Sequence, residues 1–301
     1  MPLITVFTPA YNRGYIIGQL YESLCRQSFR DFEWLVVDDG STDDTGTFIA
    51  KFVAEDKIPI RFIRRENGGK HRAINLGVRE ARGELFFIVD SDDYLADNAL
   101  ERVAFHYGNV KDDPAFAGVS GVCARGGDGS KVGGEEAWTL FDATFAEARF
   151  GRRRVRGDLA EVYRTDVLRA FPFPEIPGEK FCPEMLVWYQ ISRKGYKLRF
   201  FYEKIYICEY RADGLSAKIK KLCFANPRGT ARAHLEKFRN KLPPEHKLKA
   251  ATQFWRYSFI SRRPFFDAAR AIGPAGTLCA PVGLALACVS RFKNMRDRVA
   301  A

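Results

Sequence analysis

The sequence predicts an α/β protein: a mostly parallel, Rossmann-like sheet with helices on both faces, followed by a basic, mainly helical C-terminal region. Three observations carry that expectation. Short apolar runs alternate with helix-length amphipathic stretches over the first hundred residues, the pattern of parallel strands joined by crossover helices. Several of those runs end in carboxylates. The charge is also split along the chain. Residues 1–217 carry 30 Lys and Arg against 33 Asp and Glu, whereas residues 218–301 carry 18 against 4. The net charge of +11 therefore belongs to a basic tail on a near-neutral body, which removes the main argument for nucleic acid as a partner.

The elements follow in order. LITVFT (3–8) is a short β-branched run that ends at Pro9, and helical spacing follows over 14–27. FEWLVVDD (32–39) is a second buried run. STDDT (41–45) should open a helix, with Ser41 or Thr42 as N-cap and Asp43 and Asp44 in the first turn, where the helix dipole favours them. IPIRFIR (58–64) is a third strand, GGKHRAINLGVREAR (68–82) a helix closed by Gly83, and ELFFIVD (84–90) a fourth strand. Residues 125–136, rich in glycine and charge, read as a mobile loop.

The seven cysteines are scattered, with no C-x-x-C and no zinc-finger spacing. They read as reduced thiols in a reducing compartment. No basic or apolar leader pattern precedes the first strand, so a cytoplasmic location is expected. The one long weakly polar stretch, Ala271 to Ser290, approaches bilayer-spanning length, but its two prolines and three glycines argue against a crossing helix. Basic residues flank it on both sides, which suits a segment lying in the interface of an anionic membrane.

In parallel α/β sheets, ligands bind beyond the carboxyl ends of the strands. Pro9-Ala10-Tyr11-Asn12, Asp38-Asp39-Gly40-Ser41 and Asp90-Ser91-Asp92-Asp93 all stand there. Carboxylates gathered on one rim repel one another, so a hard divalent cation that also meets a phosphorylated ligand is the economical expectation. Asp92 faces out of the strand end as the metal ligand, and Asp90, two residues back on the same face, could bind a ribose hydroxyl of the nucleotide or the metal's water shell. The simpler reading of either acidic cluster is a helix cap. Asn67-Gly68-Gly69-Lys70 lacks the frame of a P-loop, although Lys70 or Arg72 at a helix start could meet a diphosphate. No G-x-G-x-x-G follows the first strand.

Together, TPAYNR (8–13), VVDDGSTDDT (36–45), ENGGKHRAINLG (66–77) and FIVDSDDYL (87–95) resemble glycosyltransferase family 2 in order and spacing. The likeness continues less tightly through RGDLAEVYRTDVL (156–168), GEKFCPEMLVWYQISRKGYK (178–197) and YICEYRADGLS (206–216). The resemblance implies the glycosyltransferase A fold, Mn²⁺ or Mg²⁺, a nucleoside-diphosphate sugar donor (a UDP-sugar above all) and inversion at the anomeric carbon. It implies a catalytic domain over 1–217, with a nucleotide-sugar half (1–95) and an acceptor half (96–217), and leaves 218–301 as the basic region. By residue, Pro9, Tyr11 and Asp39 match positions that hold base and ribose. Lys70 and Asn75 lie in the segment lining the donor site, and Asp90 and Asp92 match the D-x-D pair.

For the catalytic base, family members carry Glu-Asp before an apolar helical run ending in Lys-Gly. Glu184 stands where that aspartate would be, with Pro183 in place of the glutamate. Phe181, Glu184, Trp188 and Ile191 recur at helical spacing, which sets Glu184 on an apolar stripe, where partial burial favours a general base. The simpler reading is a structural glutamate, and Glu179 is the reserve. Asp213 stands near a metal-binding position of some members but reads equally as a turn. Arg152-Arg153-Arg154 could meet a charged acceptor or form a solvated loop. The expected acceptor is a hydroxyl of a lipid-linked or cell-surface glycan, with the basic region at the membrane's inner face. A sugar nucleotidyltransferase and a non-catalytic sugar-nucleotide-binding protein are the rival readings.

Overall fold

A computed structural model describes residues 1–211 and 214–299, with side chains described as far as residue 293. The chain forms two compact units, Met1–Pro172 with Lys194–Arg211, and Phe173–Arg193 with Ala212–Ala301.

The first unit is built on a nine-stranded sheet. Its strands are β1 (Ile4–Ala10), β2 (Phe32–Asp38), β3 (Ile60–Arg64), β4 (Leu85–Ile88), β5 (Tyr94–Leu95), β6 (Phe116–Arg125), β7 (Leu140–Ala143), β8 (Leu159–Arg164) and β9 (Lys197–Cys208). Their order is β3-β2-β1-β4-β8-β6-β9-β5, with β7 also pairing β9. The half formed by β3, β2, β1 and β4 is parallel throughout. Beyond it, β8 runs antiparallel to both β4 and β6, while β6 and β9 are parallel again. Every residue of β1 and β2 is buried, which is why both strands read as unbroken apolar runs rather than alternating ones.

Helices cover both faces, as expected. Leu20 and Leu24 of α1 (Ile17–Cys25), with Ile49 and Phe52 of α2 (Thr45–Glu55), join Val6, Trp34 and Phe87 in one core. On the opposite face, α3 (Lys70–Glu80) comes so close to β1 that a Cβ on Gly77 would lie 2.1 Å from the Phe7 ring. The unit is completed by α4 (Ala99–Gly108), α5 (Phe145–Phe150) and α6 (Thr165–Ala170).

Two local expectations change. Helix α2 starts at Thr45, and Ser41 and Thr42 do not cap it. Ser41 bonds Asp38 instead, and the Thr42 N–H donates to Asn12 Oδ1 at 2.8 Å. The glycine-rich stretch 125–136 is an ordered turn around Lys131, which bridges back to Ala124.

The second unit is helical. It comprises α7 (Met185–Arg193), α8 (Leu215–Ala225), α9 (Pro227–Arg239), α10 (Pro244–Ile260), α11 (Phe265–Ile272), α12 (Pro274–Thr277) and α13 (Ala280–Val299). Its core gathers Leu235, Phe254, Trp255, Ala268, Ile272 and Ala280. The segment expected to lie in a membrane interface is thus divided. Gly273, at a φ of 82°, ends α11, Pro274 opens α12, and α13 begins at Ala280. Among the described residues, no helix is long and apolar enough to cross a membrane. Segment 173–193, expected within the acceptor half, groups by packing with these helices.

Candidate active site

Register sets the site. Ala10 pairs with Asp38, so the loops after β1 and β2 leave the sheet side by side, and β4 delivers its own end beside them. The first two loops are tied together. The Asn12 N–H donates to Ser41 Oγ at 2.9 Å, the Arg13 N–H to Thr45 Oγ1 at 2.8 Å, and the Gly14 N–H to Asp43 Oδ2 at 3.1 Å. Burial alone would raise the Asp43 carboxyl pKa, but its bonds from Thr45 and Gly14 hold it below the usual value. Asn12 takes a left-handed φ of 52°, which asparagine tolerates better than most residues.

Asp39 is buried and fully used. It accepts from the N–H groups of Gly68 and Gly69 at 3.0 and 2.6 Å and from Asn67 Nδ2 at 3.2 Å. A side-chain anion thus fills the backbone donors just ahead of α3. Helix-start binding of a diphosphate, one of the sequence expectations, meets an occupied position there. Arg72 is likewise tied back to the Gly68 carbonyl at 2.6 Å. Lys70, the first residue of α3, reaches across to Asp90, with Nζ 2.6 and 2.8 Å from the two carboxylate oxygens. Asn75 is buried on α3, and Pro9 is buried within β1. Tyr11, just past the strand end, is 47% exposed.

Past β4, carboxylate oxygens of Asp90, Asp92 and Asp93 lie within 4.8 Å of one another, the one such metal-capable group among the described residues. The three have different surroundings. Asp90 faces Lys70. Asp93 accepts from Tyr206 Oη at 2.7 Å and from the Glu209 N–H at 2.7 Å, both from the β9 end. Tyr206 Oη in turn accepts the Asp90 N–H at 3.0 Å, so one buried tyrosine fixes both ends of the acidic turn. Burial, then the Asp90 carboxylate, pushes Asp93 up to about 7. The Asp92 pKa is raised by the same two causes, with Arg13 and Lys70 opposing. Among the described residues, Asp92 hydrogen-bonds no other side chain. Three carboxylates facing Lys70 and the charge of Arg13 leave an anionic corner of hard oxygen donors that could hold a divalent cation.

The sequence pattern singles out Asp90 and Asp92, which the structure brings together with Asp93. It did not reveal that Asp93 is a structural member held by β9, nor the part of Tyr206, because neither shows until β9 is placed 113 residues away.

Glu184 belongs to the second unit. It immediately precedes α7, and its carbonyl accepts the Val187 N–H at 3.0 Å. Phe181 and Glu184 both lie before the helix, so of the expected i, i+3, i+7, i+10 stripe only Trp188 and Ile191 stand on it. Glu184 is half-buried. The reserve candidate, Glu179, has a structural task. Its two oxygens accept the Arg228 and Gly229 N–H groups at 2.8 Å each, the first turn of α9, where a carboxylate is favoured. Asn226 Oδ1 holds the neighbouring Lys180 and Phe181 N–H groups at 2.8 and 3.1 Å, so the segment leading to Glu184 is anchored on that helix start. Asp213 lies outside the described residues.

A mixed sheet whose parallel half ends in paired loops and an acidic turn defines the glycosyltransferase A class of α/β folds. The glycosyl transferase family 2 profile matches residues 5–157, half of the chain, and the protein belongs to that family. It is 39% identical over 100 residues to the glycosyltransferase GlyG of Streptococcus pneumoniae, covering 33% of each chain. It is 30% identical over 173 residues to the poly(ribitol-phosphate) beta-N-acetylglucosaminyltransferase TarS of Staphylococcus aureus, covering 56% of this chain and 29% of that one. The matched regions thus span about a third of those relatives. Among solved structures, S. aureus TarS 1–349 in complex with UDP-GlcNAc superposes with a TM-score of 0.63 at 20% identity, over 93% of this chain and 84% of that one. The mannosyltransferase PcManGT of Pyrobaculum calidifontis, in complex with GDP-Man and Mn²⁺, gives 0.58 at 20% identity, over 98% and 83%.

Proposed function

We propose that the protein is an inverting glycosyltransferase that moves a sugar from a nucleoside-diphosphate sugar, a UDP-sugar by preference, to a hydroxyl of a lipid-linked or cell-surface glycan. The observation that carries this reading is the Asp90–Asp92–Asp93 corner facing Lys70 at the end of β4, inside the region matched by the family. The UDP-GlcNAc and GDP-Man named for the two solved relatives support the donor class. Tyr11 is open to stack on the base, Asp39 and Pro9 shape the floor beneath it, and Asn75 lines the donor segment. Lys70, drawn from Asp90, neutralises the diphosphate. Asp92, with Asp90, would hold Mn²⁺ or Mg²⁺, which when bound supplies Lewis-acid charge neutralisation for the leaving nucleoside diphosphate. Glu184 takes the proton from the attacking hydroxyl as its oxygen bonds the anomeric carbon and the C–O bond to diphosphate breaks on the opposite side.

In this reading the second unit supplies the membrane contact at the cytoplasmic face. Val282, Val289 and Phe292 of α13 recur at helical spacing and are more than half exposed, as are Leu278 and Phe266 nearby. Arg262, Arg263, Arg270, Arg291 and Lys293 lie around them in the chain. Apolar burial and attraction to anionic lipid then act together.

The deciding experiment incubates the full chain with UDP- and GDP-sugars, with Mn²⁺ or with chelator, and measures released nucleoside diphosphate. Slow metal-dependent release is expected even without acceptor. Binding without any release would make the protein a sugar-nucleotide-binding module, and release of pyrophosphate in a parallel incubation with nucleoside triphosphate and sugar phosphate would make it a nucleotidyltransferase.

A further inference from the structure

A cleft of about 740 Å³ in the first unit lies apart from the residues assigned above. One wall is the segment 133–140 and the other carries Arg152, Arg153, Arg154 and Arg156. The walls are knit by a buried lysine. Lys131 Nζ donates to the carbonyls of Val132, Gly134 and Arg156 at 3.2, 3.2 and 2.9 Å and lies 3.0 Å from Glu136. Backbone meets backbone at Gly133 and Gly157, both at positive φ, where a Cβ on Gly157 would fall 1.8 Å from the Val132 carbonyl oxygen. The cleft is therefore built on a fixed frame rather than on a free loop.

Its charge is one-sided. Glu135 is taken up by Lys204 at 3.0 Å and by Tyr202 Oη at 2.5 Å, and Glu136 by Lys131 and by Trp138 Nε1 at 3.1 Å. Arg153 packs over Phe141 and reaches the Leu140 carbonyl. Among the described residues, the guanidinium groups of exposed Arg152, Arg154 and Arg156 form no salt bridge. Arg154 holds a left-handed φ of 29°, a strained position for a residue with a side chain. Half-buried Trp138, braced edge-on by Phe141 and Tyr202, supplies an aromatic surface in the same cleft. A short path links this place to the acidic corner. Tyr210 Oη donates to Asp158, two residues after Arg156, and the adjacent Glu209 N–H holds Asp93.

We propose that the arginine cleft binds the anionic groups of the acceptor, a glycan whose repeating units carry phosphate or carboxylate. This deepens the transferase reading and rests on it. Guanidinium forks match both oxyanions bidentately, and the tryptophan offers a flat apolar face to the sugar between charges. Either oxyanion satisfies the geometry, so the probes separate them.

The test is calorimetric titration of the full chain with four probes of matched length: an oligogalacturonate, a glycerol-phosphate oligomer, a neutral malto-oligosaccharide and a single-stranded oligonucleotide. One or both anionic glycans should bind in a salt-sensitive manner and the neutral one should not. R152Q/R154Q should lower that affinity at least roughly tenfold, while R152K/R154K, which keeps the charge, should lose less. Melting temperatures of both variants are compared with the parent, so that loss of fold is not read as loss of site. Absence of binding by both anionic glycans, parental affinity in the glutamine variant, or equally tight binding of the oligonucleotide overturns the proposal. Donor turnover by the parent protein is a separate readout. Anionic binding that depends on the arginines, in a protein without donor turnover, keeps the cleft and removes the transferase reading.

Discussion

At Asp92 and Lys70 the site's electrostatics are set by neighbours rather than by residue type. Among the described residues Asp92 forms no salt bridge, because Lys70 is held by Asp90, and Arg13 and Lys70 act on it through their charge alone. Asp92→Ala should therefore abolish the metal-dependent part of donor binding and leave the metal-independent part in place. Titration of a fluorescent nucleotide with and without Mn²⁺ measures both, and an unchanged metal increment would remove Asp92 from the metal site. Glu184→Gln keeps size and hydrogen bonding but not basicity. Transfer should fall by ~10²–10⁴-fold while donor affinity holds, since a positioned base acts on the chemical step. Near-normal transfer would relocate the base. It would not pass to Glu179, whose oxygens are committed to the start of α9.

At the level of elements, the parallel half was readable because its strands are buried on both faces and its helices are amphipathic. Apolar runs and helical periods mark such elements directly. The helix starts were less readable. STDDT has the composition of a cap, but Ser41 and Thr42 were drawn into the β1–β2 loop network, and only tertiary pairing shows that. Likewise Phe181 and Glu184 have helical spacing but stand before the helix, because Asn226 Oδ1 holds the Lys180 and Phe181 N–H groups and Pro183 disfavours helix for the residue ahead of it, so the chain turns only at Pro183 and Glu184 and α7 starts at Met185. Composition also suggested a mobile loop at 125–136, where the structure has a turn built on a buried lysine, a residue seldom found inside without partners. The close approach of α3 to β1 gives a direct check. Gly77→Ala puts a methyl group into the Phe7 ring and should cost about 1–3 kcal/mol through overpacking. Thermal unfolding should show the loss, and an unchanged melting temperature would mean that α3 shifts freely.

Across the whole molecule, the charge split seen in the sequence separates two kinds of unit: a near-neutral α/β unit with the acidic corner and a basic helical one. The helical unit carries a histidine that opposes protonation. His234 stacks on Tyr257 at 5.8 Å, and burial, then Lys237 and Arg256, lower its pKa to about 4. Its folded pKa lies below the unfolded value near 6.5, so its contribution is full above pH 6.5 and is lost as the pH falls toward 4. The loss amounts to at most about 3 kcal/mol. His234→Phe should flatten the melting temperature between pH 7 and 5, and an equally steep fall in the variant would assign the effect elsewhere. The proposed membrane contact is checked by flotation with anionic vesicles. The parent should float at low salt, and a variant with Val289→Glu and Phe292→Glu should stay below. Equal behaviour of the two would leave α13 without a lipid role.

Strand β9 lies between β6 and the pair β5 and β7, yet among the described strands it is the last to leave the ribosome. The four parallel strands need only the first 88 residues and can collapse early, as N-terminal units do during synthesis. Among the described residues, strands β5 and β7 pair with no other strand and must wait for it: Leu95 pairs with Tyr206, 111 residues later, and Leu140 with Phe201, 61 residues later. Through that interval β6 presents an unfilled edge of ten residues, nine of them buried in the finished protein. An edge of that kind is sticky, so the nascent chain is most exposed to misassociation between the synthesis of Arg125 and that of Cys208.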